Sequence, residues 1–164
     1  MFLIEFEFEN GSYVPKAPKF GGFADSPGWC ALYARLASNY LILAEVEDKN
    51  GKLWNPGNVW DFSKNNKIFW DTRDKGEFNY KLLEEGDILG IKIPNNLWEE
   101  KLRHRYKFDF NHMVTYTGVF VNNSFIEPWI FHNLAGDISS QSLISFLCYT
   151  GSDLIQVFKP KSKI

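Results

Sequence analysis

Hydrophobic and polar positions alternate with period two at the start of the chain. Phe2, Ile4, Phe6 and Phe8 fall on one face, and Glu5, Glu7 and Glu9 on the other. This is the pattern of a half-exposed strand, and Asn10-Gly11 closes it with a turn signal. Proline and glycine recur from residue 12 to 28, which predicts a loop. The period then changes. From Ala31 to Ala44 the chain is apolar almost all round, with Arg35, Ser38 and Asn39 making one narrow polar stripe. Such a helix belongs at the centre of a domain.

Residues 45 to 80 are rich in Asn, Asp, Gly, Lys and Trp. Asn55-Pro56-Gly57-Asn58 reads as a turn, and Val59 to Phe62 as the start of a short helix. Trp54, Trp60 and Trp70 crowd this region, either covering the core or lining a groove. Glu85-Gly86-Asp87 turns into a strand from Ile88 to Ile93, stopped by Pro94. Leu97 to Tyr106 reads as a short charged helix, with Glu99 and Arg103 spaced for an ion pair. A strand from His112 to Val121 follows, then a two-residue turn at Asn122-Asn123 and a return strand from Ser124 to Asn133. Residues 138 to 150 read as a helix packed on the sheet, and Leu154 to Phe158 as a last strand. Helix first and antiparallel strands afterwards make an α+β pattern in one domain spanning 1-164.

Composition narrows the classes. The chain has 164 residues, 45% hydrophobic, which is enough for a sizeable core. Its net charge of −2 gives no electrostatic case for nucleic acid or an anionic membrane. No apolar run has the length of a membrane span, and the acidic first ten residues do not read as a signal peptide. Synthesis in the cytoplasm is therefore expected. The two cysteines, Cys30 and Cys148, make no disulfide framework or zinc spacing. The three histidines have no i,i+4 or HxH spacing, so the signal for a metal site built from them is weak.

The chemistry concentrates at Cys30. It follows the turn Asp25-Ser26-Pro27-Gly28 and opens the central helix, where unpaired N–H groups and the helix dipole favour a thiolate. The competing reading makes Cys30 a small buried hydrophobe. Cys148, set within an apolar run, reads as core. A nucleophile needs a base, and His112 opens the aromatic and β-branched strand downstream. A third group then orients the imidazole. If Asn122-Asn123 is the hairpin turn, His112 faces Asn133, whereas a one-residue bulge at Pro128 turns His132 onto the face of His112. His132 and Asn133 are the two candidates and Glu127 the third, while His104 lies in the charged helix and reads as surface. Asp87 reads as turn chemistry before a strand.

These pieces in this order resemble the NlpC/P60 and CHAP group of papain-like cysteine peptidases and amidases. The resemblance rests on Pro27-Gly28-Trp29-Cys30-Ala31, on Gly86-Asp87-Ile88, on His112-Met113-Val114-Thr115-Tyr116-Thr117-Gly118 and on Ile130-Phe131-His132, with Asn55 to Trp60 similar to a CHAP segment. It covers residues 21-135. Residues 94 to 110 look like an insertion, and the N-terminal strand lies outside the pattern. The resemblance implies a papain-like fold with the N-terminal helix central on an antiparallel sheet. It implies hydrolysis of an amide bond in peptidoglycan stem peptides or cross-links, with Cys30 attacking, His112 as base and His132 orienting it, and no cofactor. By analogy it implies delivery to the periplasm or cell wall by a secretion system or a holin, and for an injected toxin an immunity protein as inhibitor. A protein or lipid substrate for the same fold, or a non-catalytic binding module, are the alternatives.

Overall fold

The computed structural model describes residues 5–9, 12–42, 44–45, 68–71, 78–97, 110–122, 125–159 and 161–162. The expected helices at 59–62 and 97–106, the Asn55 to Trp60 segment, Trp54 and His104 lie outside the described residues, apart from a short 3-10 turn at Asn95–Leu97.

The central helix forms as its pattern predicts. Helix α1 runs Cys30–Ile42, and its first backbone bond runs from Tyr33 N–H to the Trp29 carbonyl at 3.0 Å. Ala31, Tyr33, Ala34 and Ala37 are fully buried. Of the polar stripe, Ser38 is buried as well, because its hydroxyl donates to the Gly86 carbonyl at 2.6 Å. Helix α1 is thus pinned to the turn that starts the first core strand.

The strands are β1 (Phe6–Glu9), β2 (Ser12–Pro15), β3 (Ala44–Glu45), β4 (Ile68–Asp71), β5 (Ile88–Lys92), β6 (His112–Asn122), β7 (Phe125–Leu134), β8 (Asp137–Ser142), β9 (Asp153–Phe158) and β10 (Lys161–Ser162). Six of them form one antiparallel sheet in the order β4-β9-β5-β6-β7-β8. A second helix, α2, runs Leu143–Thr150. The class is α+β, with the sheet between the two helices. On one face Ile88, Met113 and Phe131 pack against α1. On the other, Leu89, Ile91, Val114, Tyr116 and Ile130 pack against Leu143, Phe146 and Leu147 of α2. No helix among the described residues is long and apolar enough to cross a membrane.

Three expectations are corrected. Residues 12–15 are a strand, not loop, because they return alongside β1 with Phe6 facing Pro15 and Glu9 facing Ser12. The helix expected over 138–150 begins only at Leu143. Before it, Ala135 and Gly136, both at positive φ, make a two-residue turn, and β8 folds back on β7 with Leu134 facing Asp137. Ser142 then caps α2, its hydroxyl accepting from Ser145 N–H at 3.2 Å. Finally, Cys148 is exposed rather than core, on the outer side of α2 beside Tyr149.

Candidate functional site

Strands β6 and β7 pair from Asn122↔Phe125 as far as Thr115↔Phe131. Beyond that point they part. His112 to Val114 stay with β5, and His132 to Leu134 stay with β8. The site is built at this fork.

Register decides which residues share it. The hairpin register lies one residue later than expected, since Asn122 faces Phe125. A one-residue shift follows, but on β6 at Thr117 and not at Pro128: Tyr116 faces Ile130, while Gly118 faces Trp129. Gly118 takes φ 116°, a conformation that glycine accepts and a side chain resists. The extra residue turns His132 onto the face of His112. The two imidazoles meet, with His112 Nε2 and His132 Nδ1 2.9 Å apart. Both are buried, and the Phe146 ring of α2 lies 6.0 Å from the first and 5.0 Å from the second.

His132 has a second partner, Gln141 Oε1, 2.9 Å from its Nε2. Burial pushes the His132 pKa down to about 4, although the Gln141 bond and the Asp137 charge pull it upward. Its ring is therefore neutral at pH 7. Gln141 was not foreseen, although the β7–β8 turn carries the signal. Once Leu134 faces Asp137, counting sets Gln141 opposite Ile130 and diagonal to His132 on one face.

Asn133 points the other way and is already committed. Its amide donates to the carbonyls of Ala24 and Ser26 at 2.8 and 2.9 Å, and its Oδ1 accepts from Gly136 N–H at 2.8 Å. It therefore holds the loop that leads into Cys30. Asp25 completes that loop by accepting from the N–H groups of Phe20 and Gly21 at 3.2 and 2.7 Å. Glu127 faces Phe120 on β7, five residues from His132, or about 17 Å along the strand.

Cys30 is the first residue of α1 and is 4% exposed. It belongs to a buried apolar cluster that also holds Ala34, Ile88, Phe110 and Met113. Met113 and His112 are neighbours on β6, so they project to opposite faces. The structure brings His112 and His132 together on the α2 face and sets Cys30 against the α1 face of the same strand end. Thiol and imidazoles thus flank the fork from its two sides. Asp87, buried, accepts from Glu84 N–H at 2.8 Å and pairs with Lys159 Nζ at 2.6 Å, a structural role before β5. Burial outweighs the lysine and leaves its carboxyl above the usual range.

Among the described residues no group of three His, Cys, Asp or Glu side chains is placed to hold a metal ion. Comparison with protein-family models, curated proteins and solved structures finds no match to this chain.

Proposed function

We propose that the chain is a cysteine hydrolase of papain-like type that cleaves an amide bond in the peptide part of peptidoglycan. The observation that carries the chemistry is the His112–His132 contact at the forked strand end, over which Asn133 holds the loop entering Cys30. Cys30 gives its proton to His112, and the thiolate attacks the carbonyl carbon. N–H groups at the start of α1 meet the oxyanion, and His112 protonates the leaving amine. Water, deprotonated by His112, then releases the acid from the thioester. This proton transfer requires the thiol and the imidazole to approach through the fork, beyond the last β6–β7 pair at Thr115↔Phe131.

The substrate rests on the resemblance of the Cys30, Gly86-Asp87, His112 and His132 segments to wall-cleaving amidases. Delivery by a secretion system or a holin and inhibition by an immunity protein rest on the same analogy. A second reading has one observation in its favour. Cys30 is buried among apolar side chains, as a packing cysteine would be, and the imidazole pair would then be a core network of a binding module.

Digestion of purified peptidoglycan, read by mass spectrometry of the released fragments, separates the two. The hydrolase reading expects fragments from the wild type and none from Cys30→Ala or His112→Ala. Equal digestion by Cys30→Ala overturns the assignment. A wild type that releases nothing from walls of either Gram type overturns the substrate.

A further inference from the structure

Gln141 stands at the end of a three-residue line. Its Oε1 is 2.9 Å from His132 Nε2, and His132 Nδ1 is 2.9 Å from His112 Nε2. A carboxamide oxygen only accepts, so the hydrogen between Gln141 and His132 sits on His132 Nε2. Ser139 supports that orientation, its hydroxyl also directed at Gln141 Oε1, at 3.5 Å. A neutral imidazole carries one N–H, so His132 Nδ1 is left as an acceptor. His112 must then supply the hydrogen of the second bond from its Nε2, and its Nδ1 keeps the lone pair. One amide oxygen on β8 thereby fixes two tautomers and selects the nitrogen of His112 that takes a proton.

We infer that Gln141 is a positioning residue that locks His132, and through it His112, in the Nε2–H tautomer, leaving His112 Nδ1 as the base. The inference rests on the hydrolase reading for its catalytic meaning and on geometry alone for the tautomers. Burial supports it, because a desolvated ring stays neutral and cannot donate from both nitrogens. Sequence position supports it too. Gln141 lies half-buried on the edge strand β8, opposite Ile130 and diagonal to His132. When His112 becomes an imidazolium during the reaction, its Nε2–H still points at a fixed acceptor, so no reorganisation accompanies proton transfer.

The test is long-range proton–nitrogen NMR of the imidazoles in the full chain, together with peptidoglycan hydrolysis, for wild type, Gln141→Leu and Gln141→Glu. The wild type should show both rings as Nε2–H tautomers. Gln141→Leu removes the acceptor, so His132 should become a mixture of tautomers and hydrolysis should fall on the order of tenfold or more. Gln141→Glu keeps an accepting oxygen and should restore the Nε2–H pattern at His132. Circular dichroism of each variant checks that it is folded, and the glutamate variant supplies the rescue that a packing role would not give. Unchanged tautomers in folded Gln141→Leu overturn the inference. A tautomer change in a protein whose wild type cuts no peptidoglycan leaves the lock standing and overturns the peptidoglycan substrate.

Discussion

His132 reaches His112 because β6 carries one residue more than β7 between Tyr116 and Gly118. Without that extra residue, Asn133 and not His132 would share the face of His112. Gly118 makes the bulge possible at φ 116°, and among the described residues a Cβ there would meet only the Phe120 ring, at 3.7 Å. Space is available, so the penalty of a side chain lies in the backbone. Gly118→Ala should destabilise the fold by about 1–3 kcal/mol in urea unfolding. It should also weaken the His112–His132 contact, seen as a change in the imidazole NMR signals. An unchanged midpoint would mean the bulge does not depend on glycine.

His132 makes stability depend on pH. Its folded pKa of about 4 lies below the ordinary 6.5, so the unfolded chain binds the proton more readily. The stability this group contributes is present above pH 6.5 and is lost as the pH falls toward 4. Over that window the loss should reach about 3 kcal/mol, and it should flatten below it. Carboxylates titrate nearby, so the measurement is a difference: unfolding free energy from pH 7 to 4 for wild type and for His132→Gln. The variant should show the shallower slope. Equal slopes would show that His132 is not held neutral.

Asn133 is a structural residue of the site. Asn133→Ala deletes three hydrogen bonds and leaves the Ala24 and Ser26 carbonyls without their amide donor. Loss of about 2–4 kcal/mol is expected, read from denaturant unfolding. Hydrolysis should fall through the loosened loop before Cys30, while the tautomers of His112 and His132 stay as in the wild type. A variant as stable as the wild type would contradict this placement.

The pair at the start of β5 makes a further prediction. Asp87 is 3% exposed and Lys159 22%, with Nζ and Oδ2 2.6 Å apart. Lys159→Met leaves a buried carboxyl without its cation and should cost about 3–5 kcal/mol near neutral pH. Because burial already holds the Asp87 carboxyl above its usual range, the variant should recover part of that loss as the pH falls and Asp87 protonates. Thermal unfolding from pH 7 to 4 checks the sign.

The elements with strong periodicity were legible. The apolar run after Cys30 gave α1, and the alternation after Ile88 and His112 gave β5 and β6, with boundaries within a residue or two. The uncharged stretch 138–150 was not, because its first residues carry no period-two alternation and are captured by the open edge of β7 once Ala135-Gly136 turns the chain. Cys148 read as core from its apolar neighbours, yet α2 has only one buried side, and residue 148 falls on the other. At the site, counting along a hairpin reduced the partner of His112 to His132 or Asn133 and named a bulge as the deciding feature. It could not locate the bulge, since that depends on which residue takes a positive φ. The face of Cys30 was also hidden. A cysteine at a helix start and a histidine at a strand start say nothing about which side of the strand the imidazole takes.

The central claim, that Cys30 is a nucleophile activated by His112, is tested most directly by the rate of its alkylation. Cys148 is exposed and serves as the internal reference. With iodoacetamide at pH 6, followed by peptide mass spectrometry, the account predicts that Cys30 reacts faster than Cys148 and that His112→Ala removes the difference. If Cys148 is labelled while Cys30 stays unmodified until the protein is unfolded, Cys30 is a packing residue and the hydrolase reading is wrong.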